Sequence, residues 1–231
     1  QTCALPIYEA WRNAYRPLLP DVGHMEYNSW ASLEKITGRT AAVVVEPIQA
    51  ERGVIVADKK WMKALRKKCT EAGALLIFDE IQTGFGRSGT LWAFEQLGVV
   101  PDVLVLGKAL GGGMPLGAFI ARRKAMMQLT HDPVLGHITT FGGHPVSCAA
   151  GQAAFRVLLK EKLIGKVKAK SELFGEQLNH PTVKAVRRAG LLIAVEFADA
   201  SQAKKVIDQC RSEEHTSELQ SHSFISYAVF C

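Results

Sequence analysis

From residue 41 onward, short apolar runs alternate with longer amphipathic ones. AAVVVE (41–46) is rich in β-branched residues and has no polar alternation, which predicts a strand covered on both faces. Asp58 then opens a helix-period segment over 59–72, with Trp61, Met62, Leu65 and Cys69 on one face and Gly73 as the stop. ALLIFDE (74–80), VLVLG (103–107) and LGAFIA (116–121) predict three further strands. Strand, helix and strand in this rhythm predict a largely parallel α/β sheet.

Beyond Pro145 the rhythm changes. Helical patterns cover 146–159 and 164–178, strands 183–186 and 191–197, and a last helix runs from 201 to about 210. This predicts a smaller α+β unit, with the boundary in or just after the helix that starts near Pro145: a large domain over 8–150 and a small one over 151–210. QTCALPI at 1–7 and the stretch 211–231 follow neither period. They resemble translated sequencing-adapter read-through, the plainer reading being disordered polar ends. Neither enters the fold reasoning.

Composition narrows the function classes. With 231 residues, 48% hydrophobic and 22% charged, the chain reads as a soluble globular protein with a sizeable core. Its net charge of +6 comes from scattered groups at 66–68, 122–124, 160–170 and 187–188. No aromatic residues interleave them, so they read as solvated helix faces and not as a nucleic-acid platform. Five cysteines without a CxxC pair, and histidines without ligand spacing, predict no metal site. No signal peptide or apolar run of about 18 residues is legible, which predicts a cytoplasmic protein away from membranes.

Candidate chemistry sits where the apolar runs stop. Glu46, Asp79 with Glu80, and Lys108 each follow a predicted strand, and open α/β sheets bind ligands at the carboxyl ends of their strands. Alone, each could be a cap or an ion pair; together at one sheet edge they predict a pocket. An apolar run ending in DE also resembles the second motif of phosphate-loop ATPases. That reading needs GxxxxGK[ST], and the GK pairs at 107–108 and 165–166 fit it on neither side. The other chemistry is pyridoxal phosphate, which needs a lysine for covalent attachment, an acid facing its ring nitrogen and donors for its phosphate. Lys108, Asp79 and Gln82 supply the first needs. HITTFGGHP (137–145) offers Thr139, Thr140 and glycine N–H groups ahead of a helix. The glycines at 107 and 111–113 read as room for a planar ring.

EPIQAERGV, LLIFDEIQTGFGRSG, PDVLVLGKALGGGMPLGA and TTFGGHPVSCAA resemble the class III, or ω-amino-acid, aminotransferases, the family of the acetylornithine, ornithine and 4-aminobutyrate aminotransferases. The four motifs stand in family order, and the resemblance runs from about Pro17 to Cys210. It implies the fold type I pyridoxal-phosphate architecture and a homodimer with sites at the subunit interface. Lys108 maps to the Schiff-base lysine, Asp79 to the partner of the pyridine nitrogen and Gln82 to the ring oxygen. Thr140 maps to the phosphate-binding threonine that serves the partner subunit's site. Glu46 and Glu51 map to the acidic pair near the substrate, the latter able to pair with a C-terminal arginine in some members.

The activity implied is transfer of an amino group from an amino acid or ω-amine to a 2-oxo acid. Aminomutases and decarboxylases share these motifs and stay open as alternatives. The family's upstream phosphate-cradling loop, its ring-stacking aromatic and its C-terminal arginine have no match here. The chain therefore reads as an internal fragment, inactive alone, and a non-catalytic truncated chain is the remaining alternative.

Overall fold

The computed structural model describes residues 13–17, 20–134, 138–212 and 227–230. In chain order, β1 (Ala42–Val45) precedes a small antiparallel ribbon, β2 (Ile48–Gln49) and β3 (Ile55–Val56). Helix α1 (Lys59–Ala72), β4 (Leu75–Asp79), β5 (Val103–Leu106), β6 (Ala118–Ala121) and the short α2 (Arg123–Met127) follow. Then come α3 (Pro145–Lys160), α4 (Val167–Gln177), β7 (Val183–Ala189), β8 (Leu192–Phe197), α5 (Ala200–Ser212) and β9 (Tyr227–Phe230).

The first sheet has the order β1-β4-β5-β6. β1, β4 and β5 run parallel, in registers that include Val45↔Phe78 and Asp79↔Val105, while β6 closes one edge antiparallel. The predicted mostly parallel α/β sheet is therefore present, with an antiparallel edge added. Asp102 stitches β4 to β5: its carboxylate accepts the Leu76 N–H at 2.8 Å and binds the Arg66 guanidinium.

Helix α1 occupies the predicted span because both of its ends are capped. Asp58 Oδ1 accepts the Trp61 N–H at 2.8 Å, and Gly73, at φ +72°, returns its N–H to Cys69 and Thr70. Its buried face of Trp61, Met62, Leu65 and Cys69 meets Leu76, Phe78, Leu104 and Leu106 from the sheet. The prediction that β1 is covered on both faces is corrected here. Val43 and Val45 pack on this core, but Val44 on the other face is 47% exposed and Leu75 beside it 41%. Among the described residues α1 covers one face of the sheet only.

The second sheet, β7-β8-β9, is antiparallel. β8 is its buried centre. Ile193, Val195 and Phe197 face Ala203 and Ile207 of α5, while Leu192 and Ala194 face Ile48, Ala50, Val54 and Ala93. Hydropathy predicts no strand after 210, yet YAVF at 227–230 pairs with β8. Arg187 of β7 ties this sheet to the β2–β3 ribbon: its Nε donates to the Gly53 carbonyl at 2.6 Å, while another of its nitrogens binds Glu196 of β8. No helix among the described residues is long and apolar enough to cross a membrane.

Candidate functional site

The strand order brings the carboxyl ends of β1, β4 and β5 side by side, so Glu46, Asp79 and Lys108 gather at one edge as predicted. Their charges register one another. The Lys108 ammonium pulls down the carboxyl pKa values of both Asp79 and Glu46. Burial opposes it more strongly. Asp79 stays above the usual carboxylate range despite the Ile81 N–H it accepts at 3.0 Å. Glu46 is pushed up to about 7 by burial first and then by the negative charges of Asp79 and Glu51. A proton therefore sits on Glu46 over part of the neutral range.

Lys108 begins a 3-10 turn, Lys108–Gly111, with φ of +45°. A non-glycine residue pays on the order of 1 kcal/mol for that conformation. The turn is held against α3, and this corrects the reading of the glycines as room for a ring. A β-carbon on Gly112 would lie 2.7 Å from that of Ala154 and 2.8 Å from the Ala150 carbonyl. One on Gly107 would press on Ile81 at 3.3 Å. Gly113 has open space around it. The bare backbone at 107 and 112 serves close packing behind the lysine.

Glu51 comes from the turn between β2 and β3 and accepts the Gln82 Nε2 at 2.6 Å. Gln82 lies just beyond β4, so this bond joins the two loops that carry the sequence-assigned residues. The other end of that amide, Oε1, is buried without a partner. Thr140 stands apart: exposed in the turn before α3, it has no hydrogen bond to the other five among the described residues. His137, at the start of the same predicted loop, lies outside the described residues.

One neighbour carries no functional signal in the sequence, and another changes its role. The Tyr27 hydroxyl donates to the carbonyls of Glu46 and Pro47 at 2.9 and 3.0 Å, fixing the turn that leaves β1. Burial and then the charge of Glu46 hold this phenol well above its ordinary range, so it stays protonated. Its ring rests on Trp61, 5.3 Å between centroids. Glu80 was grouped with the pocket by adjacency to Asp79. Strand alternation turns it the opposite way, fully buried beneath the loop that follows.

The family profile described as Aminotransferase class-III matches residues 15–216. Among curated relatives, the [LysW]-aminoadipate semialdehyde/glutamate semialdehyde transaminase of Sulfurisphaera tokodaii is 40% identical over 192 residues, 81% of this chain and 49% of that protein. The acetylornithine aminotransferase of Clostridium acetobutylicum is 39% identical over 207 residues, 87% of this chain and 52% of that protein. Among solved structures, the ornithine aminotransferase of Toxoplasma gondii, which carries pyridoxal phosphate at partial occupancy in its active site, superposes with a TM-score of 0.85 at 31% identity. That match covers 99% of this chain and 55% of the other. The chain thus spans about half the length of the relatives it matches.

Proposed function

This chain belongs to the class-III aminotransferase family, and we propose that it serves a pyridoxal-phosphate-dependent transfer of an amino group from an amino acid or ω-amine to a 2-oxo acid. The observation that carries this reading is the cluster of Lys108, Asp79 and Glu46 at adjacent strand ends, with each acid responding to the charge of the lysine. The residues present fit the cofactor. Asp79, held above the usual carboxylate range by burial, is an acid that a protonated pyridine nitrogen would pair with. The unpartnered Gln82 Oε1 is a polar atom that a bound polar group would satisfy.

When bound, the cofactor supplies an electron sink that lets a carbon next to nitrogen lose its proton. The chain's own groups do the rest. Lys108 Nζ would be the site of attachment and the group that takes up and returns a proton. Asp79 would hold a proton on the ring nitrogen, and the positive charge there would bring its raised pKa back down. Gln82 would contact the ring oxygen. Glu46 and Glu51 line the substrate side, with Glu46 able to hold or give up a proton near neutral pH. Thr140 reaches the phosphate in the site of a partner subunit. A homodimer goes with that role, and the exposed Val134, Ile138, Phe141 and Val146 around Thr140 support it.

The same reading assigns 8–150 to the cofactor-holding domain and 151–210 to the smaller one, supported by the separate sheets on either side of α3. The test is a product assay with pyridoxal phosphate, acetylornithine or ornithine as donor, and 2-oxoglutarate. Glutamate formed by the protein with its flanking coding sequence restored, lost in its Lys108→Ala variant and not formed by these 231 residues alone, is the expected result. Carbon dioxide or a rearranged donor without glutamate would move the assignment to a decarboxylase or an aminomutase. No product at all would favour a non-catalytic chain.

A further inference from the structure

Glu80 is the one carboxylate at the strand ends that the chemistry above leaves unused, and it is 0% exposed. A buried carboxylate is costly unless donors surround it. Three do: Thr83 Oγ1 and the Ala93 N–H reach Oε2 at 2.7 and 2.9 Å, and the Phe94 N–H reaches Oε1 at 2.8 Å. All three come from the segment between β4 and β5, so a single side chain binds the start of that loop to its middle. The backbone is drawn in as well. Gly84 returns its N–H to the Glu80 carbonyl at 3.0 Å, and a β-carbon on Gly84 would stand 3.1 Å from the Trp92 ring. Trp92 in turn meets Phe85 edge-on at 5.0 Å.

Gln82 sits inside this knot, between Glu80 and Thr83. Its side chain spans to Glu51 while its own flanking residues are pinned on the opposite side. We propose that Glu80 is a positioning residue: by clamping Thr83, Ala93 and Phe94 it fixes the Gln82 amide where it holds Glu51 near Glu46. The clamp is stated for the chain itself; its bearing on amino transfer rests on the function proposed above.

The test follows the Gln82 side-chain amide of the uniformly 15N-labelled chain by its exchange with water, without cofactor. Glu51→Ala calibrates the unbonded amide, and the Trp61 indole N–H, which donates to the Ser29 carbonyl at 3.0 Å, reports the integrity of the core. In Glu80→Gln the Gln82 amide should exchange at least tenfold faster, approaching the Glu51→Ala rate, while Trp61 stays within twofold. Should that variant not fold, Thr83→Val, which removes one donor and keeps the shape, should speed Gln82 about threefold. Unchanged Gln82 exchange in a folded variant, or equal acceleration of Gln82 and Trp61, would overturn the proposal. A protein with its flanking coding sequence restored that takes up no pyridoxal phosphate would sink the cofactor assignment and leave these rates as they are.

Discussion

A β-carbon on Gly151 would stand 2.5 Å from the carbonyl oxygen of Leu110, two residues beyond Lys108. It would also lie 2.9 Å from Leu116 Cδ2. Helix α3 therefore touches the lysine turn backbone to backbone, and nothing larger than hydrogen fits between them. Gly151→Ala must push α3 away from the turn. Overpacking of this kind costs about 1–3 kcal/mol. Urea unfolding should show a lower midpoint with an unchanged slope, and an unshifted midpoint would mean that the contact yields without strain.

Gly190 makes the equivalent contact for the second sheet. With φ at +63°, its missing β-carbon would meet the Arg87 carbonyl oxygen at 2.5 Å and the Ser88 carbonyl carbon at 2.6 Å. Gly190→Ala thus combines a left-handed backbone penalty with a clash against main chain. The expected loss is about 2–4 kcal/mol, with the Leu191 N–H bond to Arg87 broken. Amide exchange at Leu191 would rise well before that of the α1 core; equal protection in variant and wild type would contradict the contact.

The proton on Glu46 has a measurable sign. Its folded pKa, about 7, lies above the ordinary 4.5, so between these values the folded chain binds more protons than the unfolded one. Stability from this group is complete below about pH 4.5 and is lost as pH rises through about 7. Glu46→Gln removes the titration. In the cofactor-free chain it should melt close to wild type at pH 5 and above it at pH 8, by an amount on the order of 2–3 kcal/mol. A pH-independent difference would show that Glu46 is not held protonated.

Much of this arrangement was legible in the sequence. Period and caps place α1 to the residue, and the apolar runs give β1, β4, β5 and β8 within a residue or two. The stops after those runs give Glu46, Asp79 and Lys108, because parallel neighbours place their carboxyl ends along one edge. Packing between distant residues was not legible. Gly112 looks like a roomy position until α3 and the lysine turn are seen pressed together. Glu80 looks like a second site acid because adjacency in sequence hides the side-to-side alternation of a strand. Tyr27 lies 19 residues before the carbonyl it holds, in a segment with no periodic signal. Gln82 and Glu51 were legible as separate residues, but their hydrogen bond depends on how two loops meet.

The central claim is that Lys108 is the attachment point of pyridoxal phosphate at this site. Its most direct test is to add the cofactor at increasing concentration, reduce with borohydride and quantify the modification of each lysine by peptide mass spectrometry. The account predicts saturable labelling at Lys108 at the lowest concentrations, weakened in Asp79→Asn and abolished by replacing the lysine. Labelling of Lys108 no stronger than that of exposed helix lysines such as Lys160 or Lys168, and indifferent to Asp79, would contradict it.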